Sequence, residues 1–174
     1  MVKLNAKALR TTAVNPEDAA SIKRNPVVII LDNVLDTYNV GSIFRLADAV
    51  AAEKVILCGE TLTPPNSRIK KASINTTGWV QWEYEKHTMD AVLKLKERGY
   101  TVVAVEQDSR SRPFYAVRYD FPLAVIVGHE SYGVSKEVLD LADMIVELPM
   151  WGVNISLNVM VSLGIVLYKI MESI

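Results

Sequence analysis

The chain of 174 residues is about one domain long, enough to bury roughly two thirds of its unfolded surface. Half of it is hydrophobic, and 19 Lys and Arg stand against 20 Asp and Glu for a net charge of −1, which argues against a broadly basic coat for nucleic acid. The single Cys58 excludes an internal disulfide and, with only His87 and His129 beside it, a Cys/His metal cluster, so a reducing cytoplasm fits and no metal is expected.

The first 25 residues, MVKLNAKALRTTAVNPEDAASIKRN, lack the apolar core of a cleavable signal. Lys3, Lys7, Arg10, Lys23 and Arg24 against Glu17 and Asp18 make this stretch locally +3. It reads either as a basic arm able to meet phosphates or, more blandly, as a solvated extension or first helix. From there the pattern alternates. Val- and Ile-rich runs at residues 27–31, 54–58, 79–84, 101–106, 123–128 and 144–148 predict strands, mostly apolar on both faces. Helical spacing falls at about 40–52, 67–75, 88–98 and 134–142, with a last helix from about 156 to 172. Strand and helix in alternation predict an α/β fold, a parallel sheet flanked by helices in one domain spanning residues 25–174, with residues 1–24 as an extension. No repeat, low-complexity tract or linker divides it. Residues 107–120, with Arg110, Arg112 and Arg118, form the longest irregular stretch. Residues 148–168 carry no charge and would meet a simple length test for a membrane span. Pro149, Asn154, Ser156, Asn158, Ser162 and two glycines crowd that segment, so a loop followed by a buried helix is expected and no membrane partner.

In open α/β sheets ligands sit at the carboxyl ends of the strands. Three strand-to-helix loops stand out there: LDNVLDTYNVGSIFRLADAV at 31–50, IVGHESYGVSKEVLDLAD at 126–143 and VELPMWGVNISLNVMVSLGIVLY at 146–168. Each leaves an apolar strand through small or polar residues, which presents backbone amides and short side chains to a ligand. Neither a G-x-x-x-x-G-K-[ST] phosphate loop nor a G-x-G-x-x-G turn is present. GHESYG is no nucleophile elbow, since His129 occupies the position two before Ser131 where the elbow needs Gly.

Asn39-x-Gly41-x-x-x-Arg45, Gly128-x-Glu130-x-x-Gly133 and Pro149-Met150-x-Gly152-x-x-x-Ser156-Leu157-Asn158-Val159, in that order at three such junctions, resemble the motifs of the SpoU-type RNA 2'-O-ribose methyltransferases of the SPOUT superfamily. The resemblance covers about residues 27–172 and looks closest to the tRNA guanosine 2'-O-methyltransferases. It implies a carboxyl-terminal trefoil knot, S-adenosylmethionine as cofactor, an RNA substrate (tRNA preferred, rRNA possible) and a homodimer that completes the active site. By matching position, Arg45 would act on the ribose 2'-hydroxyl, either as the general base the family assigns or as a cation that stabilises the developing alkoxide. Asn39 would cap its helix or position Arg45. Glu130 would hold Arg45 or a ribose hydroxyl, and Ser156 and Asn158 would touch substrate or cofactor, or cap the last helix. Gly128, Leu148 and Leu157 would bind the cofactor, largely through main chain.

Trp151 is either a stacking partner or a packing or interface residue. Arg68, Lys70 and Lys71, the arginines at 110, 112 and 118 and the amino-terminal arm are candidate phosphate anchors. Ala51, where the family commonly ends its first helix with Gly, Ser131-Tyr132 within the second motif, and Met160 and Ser162 after the third depart from the pattern. Tyr132 could narrow the pocket. The competing expectation is a non-catalytic RNA-binding or cofactor-sensing protein that keeps the fold. A pure binder would have no need of Asn39, Arg45, Glu130, Ser156 and Asn158 together.

Overall fold

In the computed structural model, which describes residues 5–12 and 14–174, two short helices, α1 (Ala6–Thr11) and α2 (Pro16–Ala20), lead into β1 (Asn25–Asp32). Every residue of β1 from Val27 to Leu31 is fully buried. Alternation divides them: Val27, Ile29 and Leu31 enter one core layer, Val28 and Ile30 the other, so β1 is apolar on both sides because both are covered. The chain continues through α3 (Thr37–Ala49), β2 (Ala52–Cys58), α4 (Ser67–Ser73), a single 3-10 turn (Thr76–Gly78), β3 (Trp82–Glu85), α5 (Thr88–Glu97) and β4 (Thr101–Val105). A two-residue strand β5 (Arg112–Pro113) is followed by β6 (Leu123–Gly128), α6 (Lys136–Leu141), β7 (Met144–Glu147) and α7 (Val159–Met171).

The strands form one seven-stranded sheet in the order β3-β2-β1-β6-β4-β7-β5, parallel at every pairing. Residues of α3, α4 and α7 complete one core layer, and Ala91, Val92 and Leu95 of α5 with Val138 and Leu139 of α6 complete the other. The late strands are interleaved: β6 lies between β1 and β4, and β7 between β4 and β5. In register, Asp32 at the end of β1 pairs with both Cys58 at the end of β2 and Gly128 at the end of β6. The loops after those strands therefore leave the sheet at one level.

The α/β architecture and parallel sheet expected from the sequence are present, with shifted boundaries. Residues 79–81, expected to open a strand, instead follow the 3-10 turn, and the Trp79 indole N–H donates to Asp48 on α3 at 2.6 Å, leaving β3 to begin at Trp82. The long 107–120 loop contains the edge strand β5, whose Arg112 and Pro113 pair with β7. The first motif helix starts at Thr37, not near residue 40, because Asp36 caps it by accepting from the Tyr38 N–H at 2.8 Å. It stops before Ala51, which takes φ +47°, the left-handed region that Gly adopts at less cost. The last helix starts at Val159, with Asn158 as its cap, and only one side of it is buried.

No helix among the described residues is long and apolar enough to cross a membrane. Cys58 is buried, and burial pushes its thiol up to about 12, so it stays protonated at neutral pH.

Candidate active site

The shared level of β1 and β6 brings the first two motifs together, and side chains complete the junction. Asn39 lies in the first turn of α3 with 2% of its surface exposed. Its amide donates to Glu130 Oε1 at 3.0 Å, and its own Oδ1 accepts from the Asn158 amide at 3.0 Å. Glu130 also accepts from the backbone N–H of Asp36 at 2.9 Å and of Leu35 at 3.1 Å. Asn158 turns its Oδ1 to the Met160 N–H at 2.9 Å and so caps α7. A continuous line Asn158–Asn39–Glu130 thus joins all three motifs.

Several expectations change here. Asn39 does not cap α3, because Asp36 does, and its partners are Glu130 and Asn158 rather than Arg45. Glu130 holds the 35–36 turn and Asn39, not Arg45. Nearby protein atoms would by themselves raise the Glu130 carboxyl, but donation from Asn39 and from the backbone outweighs them and holds it below its ordinary value. It is an anion at neutral pH.

Beside this line opens a cavity of about 340 Å³ between the ends of β4, β6 and β7 and the loop before α7. Gly128, Glu130, Leu148, Ser156 and Leu157 all line it. Asn39, Asn158 and Arg45 do not. Arg45 is exposed on α3 and, among the described residues, its side chain makes no hydrogen bond or ion pair. Ser156 stays in the loop, its N–H bonded to Asn154 Oδ1 at 3.2 Å, and caps nothing. Trp151 is 87% exposed and does not line the cavity, so it stacks on nothing there. Tyr132, 86% exposed, stands at the cavity, its ring centroid 4.7 Å from that of His129.

The glycine at 128 serves a different neighbour from the one expected. A Cβ there would lie 2.1 Å from the carbonyl carbon of Gly133 and 2.2 Å from the Val134 nitrogen. The loop folds back on itself, His129 and Gly133 exchanging N–H···O bonds of 3.0 and 2.8 Å, and only a missing side chain lets the two strands of that turn meet. We expect Gly128→Ala to cost about 3 kcal/mol, lowering Tm by roughly 6–12 °C in a thermal melt; wild-type stability would show that the turn gives way instead.

Residues that the motif reading missed hold the site from behind. Asp32, 2% exposed, accepts from the N–H and hydroxyl of Ser135, both at 2.8 Å, and from the hydroxyl of Thr88. Glu106 accepts from the N–H of Val134 at 2.9 Å and of Gln107 at 2.8 Å and lines the cavity, while the Gln107 amide donates to the Ile155 carbonyl. The available signal was a carboxylate ending an apolar strand, VVIILD and VVAVE. Glu106, Glu130 and Glu147 line the cavity, and among the described residues no Lys or Arg does.

Among the candidate phosphate anchors, Arg110 pairs with Asp108 at 2.8 Å and Asp140 at 2.7 Å, and Arg118 with Asp120 at 2.9 Å. Arg112 donates to the Ala116 carbonyl at 3.2 Å and Arg24 to that of Trp79 at 2.9 Å. Lys3 lies outside the described residues.

Residues 26–168 match the family model of the SpoU rRNA methylases. The tRNA (guanosine(18)-2'-O)-methyltransferase of Aquifex aeolicus is 33% identical over 153 residues, 84% of this chain and 69% of that protein. The same-named enzyme of Thermus thermophilus is 34% identical over 148 residues, 84% of this chain and 75% of that one. Among solved structures, the A. aeolicus TrmH/SpoU tRNA modifying enzyme superposes with a TM-score of 0.80 at 28% identity, covering 97% of this chain and 81% of its own. The AdoMet-bound rRNA methyltransferase of Sinorhizobium meliloti gives 0.80 at 26% identity, covering 94% and 59%.

Proposed function

The chain belongs to the SpoU rRNA methylase family and is an S-adenosylmethionine-dependent RNA 2'-O-ribose methyltransferase, and we propose that its substrate is tRNA before rRNA and that its site is completed by a second copy of the chain. The observation that carries the site assignment is the hydrogen-bonded line Asn158–Asn39–Glu130, which fixes three distant segments around one cavity.

The lining fits the cofactor. S-adenosylmethionine carries a sulfonium and an ammonium against one carboxylate, and a wall with three glutamates and, among the described residues, no Lys or Arg suits that net positive charge. The cofactor supplies an electrophilic methyl group. Leu148 and Leu157 give the cavity apolar walls for a flat base, and Gly128 keeps its floor tight. Glu130 sets the 35–36 turn and, through Asn39, the start of α3, so the helix that carries Arg45 has a fixed position. Ser156 offers a hydroxyl at the rim, and Asn158 holds the entrance of α7. Arg45 would place its positive charge where the 2'-oxygen gains negative charge.

Arg45 does not line the cavity of its own chain. Meanwhile Val161, Ile165 and Tyr168 form an exposed apolar stripe on α7, at 40%, 40% and 58%, and Trp151, Val153 and Ile155 of the preceding loop are exposed as well. A homodimer packed on this stripe would cover it and bring a partner's Arg45 to each cavity. Ile165→Asp combined with Tyr168→Asp is expected to sediment as a monomer and lose at least 100-fold in methyl transfer; a fully active monomer would remove the shared site. Interleaving of β6 and β7 between earlier strands accords with the knotted threading that the family implies. We assign residues 25–174 to the methyltransferase domain and 1–24 to an extension, and the cytoplasm, which holds both cofactor and tRNA, as the place of action.

The test is transfer of label from S-adenosylmethionine to bulk tRNA and to rRNA, followed by mapping of the nuclease-resistant linkage. Labelling of tRNA above rRNA is expected. Cofactor and RNA binding with no transfer to either would favour a non-catalytic binder.

A further inference from the structure

The net charge of −1 hides a concentration of positive charge beside the Arg45 helix. Arg68, Lys70 and Lys71 of α4 are all exposed, and among the described residues none of the three forms an ion pair. Neither residues 66–75 nor residues 5–12 contain an Asp or Glu. The arginines at 110 and 118, by contrast, are already neutralised by aspartates.

Two features fix α4 against the rest of the site. A Cβ on Gly41 would lie 2.5 Å from the Ala72 Cβ and 2.8 Å from the Ile69 carbonyl oxygen, so α3 and α4 meet backbone to backbone with no yielding layer between them. Arg45 lies one turn beyond Gly41 on α3, and Arg68 one turn before Ala72 on α4, so both guanidinium-bearing positions flank the same seam. At the end of α4, Ile74 and Asn75 take φ +52° and +65° in succession, a conformation that non-glycine residues hold only when their surroundings enforce it. Here the Asn75 amide donates to the Leu9 carbonyl at 2.7 Å. That bond docks α1, which lies before residue 26 where the family match begins and carries the exposed Lys7 two residues from the bonded Leu9.

We propose that the phosphate backbone of the substrate RNA runs along α4 and the docked α1, anchored by Arg68, Lys70, Lys71 and Lys7, and so delivers its ribose on the Arg45 side of the seam. The proposal rests on the RNA methyltransferase assignment and names the surface that the RNA uses. Each neutralised phosphate releases counterions and contributes about 0.7–0.9 to the slope of log Kobs against log salt.

The experiment compares the full chain with the Arg68→Ala/Lys70→Ala/Lys71→Ala variant in binding to bulk tRNA across a salt series, in cofactor binding and in methyl transfer. The expected result is a salt slope shallower by roughly 2 to 3 and at least tenfold weaker RNA binding at 0.1 M salt. KM for RNA should rise at least tenfold with kcat moved less than threefold, and cofactor affinity should stay at the wild-type value, which certifies the fold. Asn75→Gly, which keeps the positive φ and removes the tether, and Lys7→Ala should each lower the slope by about 1, with no further loss on combination. An unchanged slope and KM in the triple variant overturns the α4 path, and a silent Asn75→Gly overturns the part given to α1. Because RNA binding is read directly, these outcomes are separate from a failure of wild-type methyl transfer, which would overturn the function instead.

Discussion

Replacing Arg45 with Ala should lower the single-turnover methyl-transfer rate by about 100- to 1000-fold and leave cofactor affinity unchanged. A ribose 2'-hydroxyl is a weak nucleophile until its proton departs, so the step depends on what stabilises the oxygen as negative charge grows on it. A guanidinium keeps its own proton far into alkaline solution, which makes it a poor proton acceptor and a good partner for an alkoxide. Arg45 stands exposed, unpaired among the described residues and outside its own cavity, a costless surface position unless something else meets it. Among the described residues no side-chain hydrogen bond or ion pair would be lost on truncation, so the melting temperature should barely move. Arg45→Lys retains charge without the planar fork and should fall between wild type and Ala. A wild-type rate in Arg45→Ala would remove the residue from the chemistry. A parallel loss of cofactor affinity would place it in binding instead.

Much of the site could be read from the sequence because three loops follow three apolar strands, and parallel strands bring their carboxyl ends to one edge. What could not be read is who holds whom. The separations of 91 residues between Asn39 and Glu130 and 119 between Asn39 and Asn158 follow from strand order, and β6 is inserted beside β1 out of sequence order, which no local periodicity records. Asn39 was therefore expected at a helix entrance, whereas the Asp36 cap moves the helix start back and turns Asn39 inward. Gly128 was legible as a close-approach residue, but the approaching atoms are the protein's own Gly133–Val134 backbone, while the contact of Gly41 with Ala72 left no signal beyond its place in the motif. Asp32 and Glu106 lie outside the motifs and were missed, although a carboxylate at the end of a buried strand must find donors, and here each finds backbone N–H groups of the 133–135 turn.

Asn39→Ala should cost about 1–3 kcal/mol and roughly 100-fold in kcat, because it leaves Glu130 without one donor and the Asn158 amide without its acceptor. The two losses belong to one network, so combining Asn39→Ala with Glu130→Gln should cost clearly less than the sum of the single changes in a double-mutant cycle. Strict additivity would mean that the line does not act as a unit. Charge gives a sharper test. In the wild type the Glu130 carboxyl lies below its ordinary 4.5, so its stabilisation is full above that value and is lost as pH falls through the lower folded one. Asn39→Asp would replace the donor 3.0 Å from Glu130 Oε1 with a second carboxylate. Repulsion then raises one of the two pKa values above its unfolded level, and the sign of the linkage reverses: the variant should grow more stable relative to the wild type as pH falls from 7 toward about 5, a range in which Glu130 of the wild type contributes no slope. Melting curves across that range would decide it, and a variant with the wild-type pH profile would show that the two carboxyls do not meet.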